Sequence, residues 1–166
     1  MITPRLIQVL FLVVGMVTIS CSQTVTRNLP EAAKFVGSTP CDSIIKTQLE
    51  IPMLGTCEFI KWELDLTTSE NDSATFSLKV LYGESQPNTN GFKGGGKMIE
   101  LSGSYTTSVG IKESTSAKLY LLKPDQLESA IALVELDPNI LHFVDKNKDF
   151  ITGNGGYGYV LNRLIQ

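Results

Sequence analysis

The sequence predicts an all-β fold, a single small up-and-down barrel of about eight strands. Apolar and polar residues alternate with a period of two from about residue 44 to the end of the chain. Turn-forming residues separate the alternating runs, and only one short stretch suggests helix. A closed barrel suits such a chain because closure removes the strand edges that would otherwise be exposed, and a β-sandwich is the alternative.

The strands follow from this alternation. It is clearest at residues 60–66, 74–82 and 99–105, where Trp62, Phe76 and Leu101 each lie among apolar residues spaced two apart. Weaker runs predict strands over 44–51, 118–122, 131–136, 140–145 and 157–162. Between them, residues 124–128 predict one helical turn, with Asp125 as the cap and Glu128 reaching back to it.

Composition indicates one globular domain and narrows the function. The chain has 166 residues, 42% of them hydrophobic, and a net charge of −3. Its 14 Lys and Arg residues are scattered, which argues against nucleic acid as a partner. A single histidine leaves little for imidazole catalysis or a multi-histidine metal site, so we expect a protein that is not an enzyme.

The first residues are typical of a targeting signal. Met1–Arg5 is cationic, Leu6–Ile19 is apolar, and Ser20 precedes Cys21. The apolar run is shorter than the roughly 20 residues that span a bilayer, so residues 1–20 predict a cleaved signal peptide. Residues 18–21 resemble a bacterial lipobox, which implies that Cys21 is acylated and anchors the protein to the outer membrane. An ordinary secretion signal is the alternative. We expect a flexible tether over 21–33 and the barrel over 34–166.

The cysteines predict a disulfide. If Cys21 is acylated, Cys41 and Cys57 form an even pair in an oxidising compartment. A bond between them would tie the segment around Met53 to the body of the protein. The alternatives are two free thiols, or a soft Cu(I) site built from Cys41, Cys57 and Met53.

Three further motifs have structural interpretations. Residues 91–97 match the spacing of a phosphate-binding loop, but Met98 stands where a hydroxyl must meet magnesium, which favours a mobile hairpin loop. Residues 145–149 begin like a calcium loop and lack its glycine and final glutamate, which favours a polar turn. His142 lies on an alternating segment and is expected to be a hydrogen-bonded structural histidine.

Five short motifs together resemble the N-terminal domain of the NlpE family. They are Gly37–Asp42 with the following Ile45–Leu49, then 81–83, 103–105, 141–145 and 159–161. The resemblance covers roughly residues 35–163 and implies a lipocalin-like barrel displayed from the outer membrane, with roles in copper homeostasis and envelope stress signalling. The family's Cys-x-x-Cys pair begins at Cys41, but its second position is Ile44, so that thiolate pair cannot form here.

The sequence thus predicts a non-enzymatic envelope lipoprotein with no cofactor. Its barrel would bind a small apolar ligand or an envelope protein. The alternatives are a Cu(I)-binding sensor of copper or envelope stress, and a structural partner in envelope assemblies.

Overall fold

The computed structural model describes residues 32–69, 73–153 and 156–165 as a closed barrel of eight antiparallel strands. Each strand pairs with its sequence neighbours, and the last pairs with the first. The strands are β1 (Ala32–Pro40), β2 (Phe59–Thr68), β3 (Ala74–Gly83), β4 (Lys97–Val109), β5 (Lys118–Pro124), β6 (Ile131–Asp137), β7 (Ile140–Val144) and β8 (Val160–Arg163). One α-helix, α1 (Ser43–Gln48), follows β1, and a single 3-10 turn covers Lys93–Gly95. The predicted all-β barrel is therefore confirmed.

The prediction of a strand over 44–51 was wrong, because that segment contains α1. Asp42 caps this helix, and its Oδ1 accepts hydrogen bonds from the backbone N–H groups of Ile44 and Ile45, each at 3.0 Å. Ile45 and Leu49 are four residues apart, so a helical turn buries both on one side. The eighth strand is instead β1, which begins two residues before the expected boundary at 34.

The predicted helical turn and the predicted start of the last strand also differ from the structure. Residues 124–128 do not form a helical turn, because Pro124 ends β5 and the N–H of Asp125 donates to the carbonyl of Ser102 at 2.9 Å. That bond continues the pairing of β5 with β4 into the turn. The last strand begins at Val160 rather than at residue 157. The signal peptide and most of the expected tether lie outside the described residues.

The barrel interior is filled by the apolar side chains of alternate residues. Trp62 and Phe143 pack with their ring centroids 4.8 Å apart, and Tyr159 meets the edge of Phe143. The indole N–H of Trp62 donates to Oγ1 of Thr39 at 2.8 Å, so these two buried polar groups satisfy each other. This half of the interior is a packed core.

A plug formed by residues 41–57 closes the barrel end next to that core. Three residues of the plug are buried in the main core: Ile45, Leu49 and Ile51. The disulfide between Cys41 and Cys57 joins the two ends of the plug, whose Cα atoms are 5.6 Å apart. Asp42 also accepts a hydrogen bond from the hydroxyl of Tyr159, at the start of β8. The plug is thus fixed to the wall covalently and by hydrogen bonds.

A second, smaller core lies on the outside of the barrel. It contains Leu119, Val134 and Val144, with Ile111 packed over them from the loop after β4. An ion pair of 3.0 Å between Nζ of Lys112 and Oδ1 of Asp149 joins this loop to the turn after β7. The cluster explains why three strands carry apolar residues on both faces.

Candidate functional site

The end of the barrel opposite the plug is open and contains a cavity of about 410 Å³. We call this opening the mouth. Strands β1, β3, β5 and β7 begin here, and β2, β4, β6 and β8 end here. Its apolar wall is formed by Ala33, Phe35, Leu66, Ala74 and Pro138. Its polar wall is formed by Thr68, Tyr105, Thr107, Lys118, Tyr120, Glu135 and Arg163.

The polar side chains of the mouth face inward, in phase with the apolar side chains deeper in the barrel. Thr68 follows Leu66 by two residues, Glu135 follows Leu133, and Arg163 follows Leu161. A period of two keeps all of these side chains on the inner face of the sheet. The barrel therefore changes from a packed apolar interior to a polar one at the mouth.

Two tyrosines form one side of the mouth cavity. The ring centroids of Tyr105 and Tyr120 are 5.9 Å apart and their planes are tilted by 47°. The hydroxyls of Tyr105 and Thr68 are hydrogen-bonded at 2.8 Å. The hydroxyl of Tyr120 donates to Oε2 of Glu135 at 2.7 Å. These bonds hold both rings in fixed orientations at the wall of the cavity.

Lys118 lies close to both Glu135 and Tyr120 in the mouth. Nζ of Lys118 lies 3.6 Å from Oε2 of Glu135 and 4.7 Å from the ring centroid of Tyr120. The Tyr120 hydroxyl raises the pKa of the Lys118 ammonium, and Glu135 raises it further. Burial raises the pKa of the Tyr120 phenol. Among the described residues that line the cavity, Lys118 and Arg163 are basic and Glu135 is acidic.

A second cavity, of about 400 Å³, lies at the plug end. It is a groove between the loop 51–57 and the glycine-containing loop before β4. Its lining includes exposed loop residues, and its lysine at position 93 is paired with Glu84. This groove is lined largely by two loops, whereas the mouth is lined mostly by residues of the barrel strands, so the mouth is the stronger candidate site.

The residues that the sequence predicted as sites lie away from the mouth. Cys41 and Cys57 are at disulfide distance in the plug, so a thiolate copper site there would require reduction of the bond. Met53 is 58% exposed in the plug loop, and its carbonyl oxygen is 3.5 Å from Nζ of Lys46. Cys21 lies outside the described residues.

The remaining motifs have structural roles in the described part of the chain. Oδ1 of Asp145 accepts from the backbone N–H groups of Asn147 and Asp149, at 2.8 and 3.0 Å, so the calcium-like segment forms a polar turn. Nδ1 of His142 lies 2.7 Å from the carbonyl oxygen of Phe143, consistent with a hydrogen-bonded structural histidine. The glycine-containing loop at 91–96 lies at the plug end, so it does not cover the mouth.

No mouth residue was among the predicted site residues, although a signal for them exists. Lys118 precedes Tyr120 by two residues, and Thr107 follows Tyr105 by two. Polar residues that keep the inward phase at the end of a strand indicate a polar opening. To use that signal, one must know which face of each strand points inward and which strand ends meet at the same end of the barrel. The structure supplies both.

No protein-family model matches the chain, and comparisons with curated proteins and with solved structures also found no match. Among residues 32–69, 73–153 and 156–165, no helix is long and apolar enough to cross a membrane. The same described residues contain no group of three or more His, Cys, Asp or Glu side chains arranged to hold a metal ion. The geometry of the mouth is therefore the structural feature from which a function can be inferred.

Proposed function

We propose that this protein is a non-enzymatic binding protein of the bacterial cell envelope whose mouth holds a small amphipathic anion. The observation that carries the proposal is the mouth cavity, where an apolar wall faces two tyrosine rings and two cationic side chains. Its volume of about 410 Å³ falls within the range of about 300–1,000 Å³ found for small-molecule pockets.

The two sides of the cavity suit the two parts of such a ligand. Phe35 and Leu66 offer an apolar surface from β1 and β2, which favours a hydrocarbon or aromatic body. Among the described lining residues, Lys118 and Arg163 supply two basic groups beside the carboxylate of Glu135, which favours a ligand with a negatively charged head group. A monoanionic amphiphile such as a fatty acid matches both features.

The envelope location is supported by the N-terminal sequence. The lipobox-like residues before Cys21 favour an acylated N-terminus after cleavage, and Ser22 favours the outer membrane. The disulfide-distance pair Cys41 and Cys57 suits an oxidising compartment. The resemblance to the NlpE family agrees with such a lipoprotein.

Ligand binding is tested with anilinonaphthalene sulfonate, a fluorescent probe with an aromatic body and an anionic group. We expect saturable binding of one probe per chain, displaced competitively by a long-chain fatty acid. Lys118→Gln should weaken binding about tenfold, because it removes a charge-assisted contact. The matched control is Lys123→Gln, which removes the same charge from an exposed outer position of the same strand. Equal affinities for the two variants would contradict an anion site in the mouth.

The location of the ligand is tested by filling the cavity. Ala74→Trp places a large side chain in the cavity wall and should abolish probe binding. Thr75→Trp adds the same side chain at the neighbouring exposed position and should leave binding unchanged. A cavity variant that folds and still binds the probe would place the ligand elsewhere.

Attachment to the membrane and the state of the thiols are tested together by intact mass. The protein from bacterial membranes is alkylated with and without reduction. We expect the added mass of acyl chains on Cys21, and alkylation of Cys41 and Cys57 only after reduction. Alkylation of both without reduction would instead favour the Cu(I) hypothesis, and a copper titration of Cys41→Ser would then follow.

A further inference from the structure

We propose that the rim of the mouth docks on the surface of a lipid bilayer, so that the cavity opens toward the membrane. The inference rests on the proposed function in one respect, the acylation of Cys21. It identifies an interaction surface and its partner, a phospholipid bilayer.

Four apolar residues form one side of the mouth, and we call them the apolar rim: Leu136, Pro138, Leu164 and Ile165. All four are exposed, Leu136 at 51% and Ile165 at 84%. Leu136 stands at a β-bulge, where the pairing of β6 with β7 shifts register between Glu135 and Asp137. A bulge leaves its extra residue outside the regular ladder.

Backbone hydrogen bonds hold these residues close together. The N–H of Arg163 donates to the carbonyl of Asn139, in the turn after Pro138, at 2.8 Å. The N–H of Leu164 donates to the carbonyl of Lys34 in β1, also at 2.8 Å. These bonds place the end of β8 beside the turn before β7, so the apolar rim lies on adjoining elements at the mouth, and Pro138 also lines the cavity.

The plug end also exposes apolar side chains, including Met53 at 58% and Leu54 at 94%. The two ends differ in their connection to Cys21, because the described chain begins at the mouth. β1 pairs with β8 through Phe35 and Val36, and Ala32, where β1 begins, lies at the mouth. Residues 22–31 separate it from Cys21, and an extended segment of that length reaches at most about 40 Å. A lipid-anchored Cys21 therefore attaches the barrel to the bilayer through its mouth end, whereas the plug lies at the far end of the barrel.

The apolar rim and the cavity act on the same class of molecule. Exposed leucine and isoleucine side chains gain free energy when they enter the boundary between head groups and acyl chains. A lipid monomer that leaves the bilayer at this surface would meet the apolar wall and the two cations of the mouth directly. The contact thus supplies the amphipathic anion from the membrane.

The test uses tryptophan as a depth probe in the complete protein. Ile165→Trp places the probe on the apolar rim, and Leu54→Trp places a matched probe on the plug. The native Trp62 is 2% exposed and gives a constant background. Each variant, purified from bacterial membranes, is placed on phosphatidylethanolamine and phosphatidylglycerol vesicles that contain brominated acyl chains. We expect at least about twofold quenching of the rim probe and none of the plug probe.

Three results would overturn the proposal: no quenching at position 165, equal quenching at 165 and 54, or a blue shift of the rim probe with protein concentration when no vesicles are present. The last result would assign the surface to a second copy of the chain. Repeating the experiment with Cys21→Ser separates this proposal from the anchor, because the rim probe of the unanchored chain should still be quenched when vesicles are in large excess. If the purified protein carries no acyl chain and its rim probe is still quenched, the prediction of acylation is wrong and the docking proposal is supported.

Discussion

The two ends of this barrel differ in how completely their polar and apolar groups are satisfied. At the plug end, Ile45 is fully buried, the carboxylate of Asp42 accepts three hydrogen bonds, and a disulfide closes the segment. At the mouth, inward-facing Lys118, Glu135 and Arg163 surround open space. One end is therefore packed and cross-linked, and the other provides the cavity to which we assign binding. The same sheet carries both because its inward-facing side chains differ at the two ends.

The largest expected effect is on the plug core. Ile45→Ala should lower the free energy of unfolding by about 3.5 kcal/mol, because it removes a fully buried side chain and leaves a cavity. Ile44→Ala, at the adjacent exposed position of α1, should change it by less than about 0.5 kcal/mol. Urea unfolding of both variants measures the difference. Similar values would mean that the plug is not packed against the barrel.

Loss of the disulfide should have the second largest effect on stability. Loss of the Cys41–Cys57 bond should lower the free energy of unfolding by about 3 kcal/mol in the chain-entropy model. The bond closes a loop between cysteines that are 16 residues apart in the sequence. The double variant Cys41→Ser with Cys57→Ser, unfolded in urea beside the oxidised protein, gives this value. Probe binding at the mouth should stay within about twofold. A large loss of binding would show that the two ends are coupled.

A smaller effect concerns the alkaline limit of stability. Burial raises the pKa of the Tyr159 phenol, and Asp42 raises it further. Because the folded pKa lies above the ordinary value of 10.0, the stabilisation is complete below pH 10 and is lost as the pH rises above it. Thermal unfolding between pH 8 and pH 11.5 should show a shallower decline for Tyr159→Phe than for the native chain. Parallel profiles would contradict the assignment.

The smallest effect on stability should be at the mouth. Tyr120→Phe removes the hydrogen bond to Glu135 and should cost about 1 kcal/mol or less, because the bond is only partly buried. Its effect on probe affinity should be larger than that of Tyr82→Phe, a half-buried tyrosine at the plug end. Titration and urea unfolding of both variants provide the comparison. A stability loss as large as that of Ile45→Ala would remove the distinction between the two ends.

Much of the fold could be predicted from the sequence because alternation is a local property. The runs containing Trp62, Phe76 and Leu101 alternate over whole strands, and they correspond to β2, β3 and β4. The first strand escaped prediction because Gly37 and several polar residues obscure its period. Gly37 is needed where β1 approaches β8, since a Cβ there would lie 2.3 Å from the carbonyl oxygen of Val160.

The helix and the mouth were harder for different reasons. A short apolar run such as 44–51 fits either period, and only the cap at Asp42 distinguishes helix from strand. The mouth depends on Lys118, Glu135 and Arg163, which are far apart in the sequence and meet only because their strand ends share one rim. Local periodicity indicates which residues of a strand face inward. It does not indicate how much of the barrel interior their side chains fill.

An even number of antiparallel strands returns the chain to the end of the barrel at which it started. Ala32 and Arg163 consequently belong to neighbouring strands at one rim, and the sequence order of the barrel is close to circular. A short linker between them, with new termini opened at Gly94 in the loop before β4, would give a circular permutant with every strand pair retained. In such a protein the new termini would emerge beside the plug, and the mouth could be presented away from any surface to which the chain is attached.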